Sequence, residues 1–229
     1  MKAFPEFTDF AAVKAKYPLE RVGLGGARRA CWKIGDTGFC VKFYKDDAML
    51  EADGVKDSIR REVRKKRFDL KRNNSVQEVR VYERYMRTMP PEVTSKLPEV
   101  VELVFDDALG YGILETYYAN PDGTAIIPYE FEIRRQTPAN REIIYAQAKE
   151  LLEILIANSA FFYEPGNFHN RILPDGTIET KIIDFEPTSK LFIKIERIWP
   201  WWRRQLLRQK MNTYLTNLRR NYSICGNEA

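Results

Sequence analysis

Alternation of apolar and polar residues marks the first elements of the chain. Residues 29–34 and 39–44 are short alternating runs that flank Gly35-Asp36-Thr37-Gly38, a four-residue turn with glycine at both ends. That pattern predicts a β-hairpin. On its second strand Cys40, Lys42 and Tyr44 share one face, and Val41 and Phe43 share the other. The period then changes. Val76, Val79, Tyr82, Tyr85, Met86 and Met89 recur at helical spacing over residues 74–89, and Pro90-Pro91 ends the run. Two further apolar runs, 100–105 and 111–118, are split by Asp106-Asp107 and Gly110 and predict a second hairpin.

The second half has a different texture. Asn120-Pro121-Asp122-Gly123 reads as a loop. Thr137-Pro138 is a helix start, with threonine as N-cap and proline at the first helical position. Ile143, Ala146, Leu151, Ile154 and Leu155 then form the apolar face of a helix reaching about residue 159. Residues 161–170 hold glycine, proline and asparagine without helical period and read as a loop. Runs 171–173 and 180–183 flank Pro174-Asp175-Gly176-Thr177, a third hairpin, and helical segments follow at about 190–197 and 201–220. The expected class is α+β. A β-rich lobe with one long helix spans 1–117, and a mainly helical lobe spans 118–229. A doubly wound sheet would instead alternate strands and helices.

Composition bounds what such a chain does. It has 229 residues, 44% hydrophobic and 30% charged, an ordinary globular mixture. No apolar run is long enough to span a bilayer, and residues 1–10 show no secretory signal. Three cysteines (Cys31, Cys40, Cys225) and a single histidine, His169, argue against a disulfide framework and a Cys/His zinc site, and a reducing cytoplasm is the expected compartment. The net charge of +5 is unevenly spread: residues 56–72 carry +6 and residues 194–220 carry +7. Such tracts are ordinarily solvated helix faces; the competing role is contact with an anionic partner.

Four features carry candidate chemistry, in the order a kinase-like phosphotransferase would need them. Gly23-Leu24-Gly25-Gly26 precedes the first hairpin, where glycines let backbone N–H groups approach phosphates, although a tight turn explains them as well. Lys42 sits inward on a strand and needs an anionic partner. Glu78 is the expected partner. A local alternative stays open, because Ser75-Val76-Gln77-Glu78 also reads as a capping box. The third feature is the segment Glu164-Pro165-Gly166-Asn167-Phe168-His169-Asn170, and the fourth is Ile182-Ile183-Asp184-Phe185-Glu186. An apolar strand ending in Asp-Phe after Asn-x-Ile-Leu points to Asp184 and Asn170 as oxygen ligands for Mg²⁺ bridging nucleotide phosphates. The bland readings are a strand-end turn residue for Asp184, and for Asn170 a loop side chain bonding its own backbone.

These stretches resemble the YrbL family of PhoP regulatory network proteins, which is similar in fold to protein kinases and aminoglycoside phosphotransferases. The resemblance rests on residues 25–32 with Arg28, Arg29 and Cys31, on 40–44, 77–82, 109–123, 169–173 and 182–186, and on the tryptophan- and arginine-rich run 191–208. It implies a bacterial protein of two-lobed protein-kinase-like fold, with an antiparallel N-lobe sheet and a small, truncated C-lobe. ATP and Mg²⁺ would be the cofactors. Gly23, Gly25, Gly26, Lys42, Glu78 and Glu115 would lie on the nucleotide, Asn170 and Asp184 on the metal. A kinase loop places an aspartate five residues before that asparagine; here the position holds Pro165, and the nearest carboxylate, Glu164, is one residue early. Glu164 is the candidate base if the loop bulges by one residue. Only 45 residues follow Asp184, too few for the helices that hold a protein substrate, so a small or cell-envelope acceptor, or none, is expected.

Three functions therefore stand side by side: a phosphotransferase, a non-catalytic pseudokinase that binds nucleotide, or only a partner, and regulates it, and a basic module for anionic lipid or nucleic acid. Nucleic acid has the least support, because no readout motif accompanies the charge. On the last helix Trp199, Trp201 and Trp202 interleave with Arg203, Arg204, Arg208 and Lys210. The leading expectation is tryptophans capping the core; docking on a membrane surface is the alternative.

Overall fold

The computed structural model describes residues 10–22, 28–120, 136–160, 168–183 and 200–222. The chain divides into two units, residues 1–80 with 99–118, and residues 81–98 with 119–229. The division is discontinuous, whereas the sequence reading places one break after residue 117. The class is α+β, built around a five-stranded antiparallel sheet.

In the first unit, helix α1 (Phe10–Lys16) leads into strands β1 (Leu19–Val22), β2 (Arg29–Ile34) and β3 (Phe39–Tyr44). Helices α2 (Asp47–Ala52), α3 (Asp57–Arg67) and α4 (Asn74–Val81) follow, and strands β4 (Val100–Asp106) and β5 (Gly110–Thr116) return to the sheet in the order β1-β2-β3-β5-β4. The β2–β3 turn works because Gly35 and Gly38 take φ of 45° and 77°, a region that side chains resist. Thr37 closes it by donating its hydroxyl to Ile34 O at 2.6 Å.

The two faces of this sheet differ. Ile34, Val41, Phe43, Val104 and Leu114 point to one side and are covered by Phe10 and Val13 of α1 in the main apolar cluster. Phe43 packs where β5 carries Gly112, and a side chain at that glycine would collide with its ring. Lys14 of α1 pairs with Asp106 at the sheet edge. The opposite face carries Arg29, Cys31, Cys40, Lys42 and Glu115, as the strand register dictates. Beside it Tyr44, Leu50 and Val63 form a smaller cluster with Val55 and Ile59.

Two helices of this unit were not foreseen. α1 and α2 are too short for a periodic signal. The basic tract becomes α3, whose two inward apolar residues, Ile59 and Val63, are outnumbered by its solvated charges. The capping box at Ser75 does not form. Asn73 caps α4, its Oδ1 accepting from Val76 N at 3.3 Å while its amide donates to Arg67 O and Tyr111 O.

In the second unit α4 is prolonged by a π-helical turn (Tyr82–Met86), and α5 (Pro91–Thr94) starts on its own proline. Helix α6 (Pro138–Ala157) begins where the sequence predicts, with Thr137 Oγ1 accepting from Asn140 N at 3.2 Å. It buries Ile144, Tyr145, Ala148, Leu151, Leu152, Leu155 and Ile156. The hairpin β6 (Phe168–Ile172) and β7 (Ile178–Ile182) turns at Gly176, φ 80°. β7 is anchored by Ile182 N donating to Lys96 O at 2.9 Å and Lys181 Nζ to Ser95 O at 2.6 Å.

The last helix, α7 (Pro200–Tyr222), packs on α6 and buries Leu207, Leu215 and Leu218, and Arg219 lies over the Tyr145 ring at 5.1 Å. Tyr214 meets Phe168 edge-on at 6.0 Å. The expectation that its tryptophans cap the core is corrected for two of them: Trp201 and Trp202 are 61% and 41% exposed, because the buried stripe of α7 begins a turn later. Trp199 lies outside the described residues, as does the segment 190–197. Among the described residues no helix is long and apolar enough to cross a membrane.

Candidate functional site

The charged face of the first sheet concentrates the residues singled out by sequence. Lys42 on β3 and Glu115 on β5 stand on adjacent strands with the same facing, Glu115 opposite Cys40 and therefore diagonal to Lys42. Lys42 Nζ reaches Glu115 Oε1 at 2.5 Å, with 12% and 1% of the two side chains exposed. Cys40 Sγ lies 4.0 Å from the same carboxylate oxygen.

Glu78, on α4, is fully buried and accepts from Arg29 Nη1 at 2.7 Å. Where sequence set Lys42 against Glu78, the ion pairs described on this face are Lys42–Glu115 and Arg29–Glu78. Register explains this pairing. Arg29 and Lys42 point to the same side from neighbouring strands, and Glu115 is already beside Lys42 within the sheet. The helix carboxylate is left to the arginine. Sequence names Arg29 only within the resemblance and gives it no role, because at a strand start an exposed charge is the ordinary outcome; only its buried partner distinguishes it.

The two pairs set two cations against two carboxylates in a place where uncompensated charge is costly. Buried pairs of this kind add little net stability over apolar residues of the same volume.

Asn170 belongs to the second unit and lies in strand β6, not in the loop expected for 161–170, because Phe168, Asn170 and Ile172 pair with β7. Asn170 is 3% exposed and faces Thr180 across the hairpin. Thr180 Oγ1 stands 2.5 Å from Asn170 Oδ1 and 2.9 Å from Gln147 Oε1. A hydroxyl has one proton and donates to one of them. The Gln147 amide nitrogen is committed to Ile178 O, so the Gln147 oxygen takes that proton. Asn170 then meets Thr180 best through its NH₂, with the amide turned by 180°. Its oxygen thereby falls at the buried position that has no hydrogen-bond partner. A hard cation accepts an atom of this type. His169, expected as a polar loop side chain, is instead half-buried on β6 opposite Lys181.

Gly23, Gly25, Gly26, Glu164 and Asp184 lie outside the described residues. Among the described residues no cluster of three or more histidine, cysteine, aspartate or glutamate side chains is arranged to hold a metal ion. No family model matches the chain, and no curated protein matches it.

Proposed function

We propose that the chain is a kinase-like protein that binds ATP with Mg²⁺, Lys42 serving the phosphates and Asn170, with Asp184, serving the metal. The observation that carries this reading is the Lys42–Glu115 pair, a largely buried lysine on a fully buried carboxylate, on the face of a five-stranded antiparallel sheet. A lysine held there at the cost of desolvation is better explained by an anion-handling role than by stability. The element order supports it: three strands, intervening helices, two strands, then a helix and a hairpin that carries Asn170 and runs on towards Asp184. Mg²⁺ would neutralise phosphate charge, and the freed Asn170 oxygen is a suitable ligand.

A second reading, a pseudokinase that regulates a protein partner, is favoured by one specific observation. Lys42 and Arg29 are each matched by a carboxylate, so this face offers a polyanion little net positive charge. Pro165, where a kinase-like loop has its aspartate, points the same way.

A thermal-shift titration decides the first point. Ligand bound only by the native state stabilises it by about 2.7 kcal/mol at a hundredfold excess over Kd. Millimolar ATP with Mg²⁺ should raise Tm by several degrees, and ATP with a chelator should raise it far less. Lys42→Met and Asp184→Ala should abolish the Mg²⁺-dependent part. No shift in the wild type overturns nucleotide binding. Release of the γ-phosphate then separates an active transferase from a pseudokinase.

A further inference from the structure

Two of the three cysteines meet on the charged face of the first sheet. Cys31 on β2 is paired with Lys42, and Cys40 lies two residues before Lys42 on β3, so the two thiols are diagonal neighbours with the same facing. Both are free thiols; Cys31 is half-buried and Cys40 is buried. Hydrogen bonding to Cys31, followed by burial, pushes the Cys40 thiol well above its usual range. A soft metal is not the natural occupant. The third donor in reach, Glu115, already holds Lys42, and no trio of suitable ligands is assembled among the described residues.

We propose that Cys31 and Cys40 form an oxidant-responsive dithiol that closes to a disulfide across β2 and β3. The co-reactant is a peroxide. Cys31, the more accessible sulfur, attacks one peroxide oxygen; the O–O bond breaks, the departing hydroxide takes the Cys31 thiol proton and leaves as water, and a sulfenic acid forms. Cys40 sulfur then attacks Cys31 sulfur and gives up its proton as the S–O bond breaks, releasing water. Two thiols are oxidised to one disulfide, and one peroxide is reduced to two waters. Diagonal neighbours on adjacent strands lie about 7–8 Å apart at the backbone, beyond the roughly 4.4–6.8 Å that disulfides usually span. Closure therefore draws the strands together locally, and the bond is one that dithiols reopen. It also withdraws the Cys40 thiol from Glu115 Oε1, the oxygen that holds Lys42. The proposal does not depend on nucleotide binding.

The test uses the full chain carrying Cys225→Ser, so that two thiols remain. Trypsin cleaves after Arg29, Lys33 and Lys42 and places Cys31 and Cys40 on separate peptides, 30–33 and 34–42. Stoichiometric hydrogen peroxide should remove both thiols from a thiol titration. Peptides 30–33 and 34–42 should then appear joined, with the loss of two hydrogens, and dithiothreitol should separate them. Cys40→Ser should stop the reaction at a Cys31 sulfenic acid that a dimedone probe traps. The proposal is overturned if both thiols survive, if Cys31 is carried to the sulfinic acid with Cys40 still reduced, or if the only disulfide formed joins two chains.

Discussion

Arg29 and Glu78, 49 residues apart in the chain, meet at 2.7 Å with less than a tenth of either side chain exposed. This contact fastens α4 to the sheet. Removing one member leaves a buried charge without its counter-charge, which typically costs about 3–5 kcal/mol. Glu78→Ala should lower the urea midpoint accordingly with an unchanged slope. The double variant Arg29→Met, Glu78→Leu should recover much of the loss, because apolar residues of similar volume replace a buried pair at little cost. A double variant no better than the single one would show that the pair is not acting as a unit.

Lys42 and Glu115 predict a coupling of a different kind. In a double-mutant cycle with Lys42→Met and Glu115→Gln, contacting charged residues should show an interaction energy of about 0.5–3 kcal/mol. Additivity within about 0.3 kcal/mol would mean that the 2.5 Å contact does not persist in solution.

Asp106 gives a pH dependence with a definite sign. Burial pulls its carboxyl upward, but the Lys14 ammonium and the amides of Leu109 and Ala108 outweigh it and hold it below 3.8. A carboxyl lowered in the folded state contributes stability above its unfolded pKa and loses it as pH falls through the folded one. Asp106→Asn keeps an acceptor for the two amides and loses the charge together with the acceptor that Lys14 meets. It should cost about 1 kcal/mol at neutral pH, given a half-exposed lysine partner. The difference from wild type should vanish in thermal melts taken well below pH 3.8. A difference that persists in acid would assign the effect to hydrogen-bond geometry instead.

Thr137 caps α6 with a single hydrogen bond, to Asn140 N. Thr137→Ala should destabilise the second unit by about 1 kcal/mol, and Thr137→Asp should not. Melting of the two variants, followed by far-ultraviolet circular dichroism, measures both.

The legible parts of the fold were those written in short-range pattern. Strands β2 and β3 and the start of α6 follow from alternation, paired glycines and a Thr-Pro cap, all local devices. α3 was legible only as a basic, solvated face, because two apolar residues suffice to seat it under Tyr44 and leave no apolar period. At the site, an inward Lys42 was readable from strand facing, but its partner was not. Glu78 and Glu115 are both carboxylates within reach of the same sheet face, and only the register between β3 and β5 decides which takes the lysine. Arg29 could have been suspected from that register alone, since it faces the same side as Lys42. Asn170 was readable as a chemical group, and its strand setting was not, because Phe168 and His169 look like loop residues without Thr180 and Lys181 opposite them.

The strand order also sets a timetable for synthesis. In β1-β2-β3-β5-β4 one neighbour of β3 is the last strand of that sheet to be made, so an emerging chain that has produced α4 still carries β3 as an open edge. Bare edges invite pairing with other chains. Glu115, the carboxylate that receives Lys42, arrives 73 positions after the lysine itself. Nascent chains halted near residue 95 should therefore be the aggregation-prone species, and those extended past residue 118 by the length of the ribosomal tunnel should resist protease across the first unit.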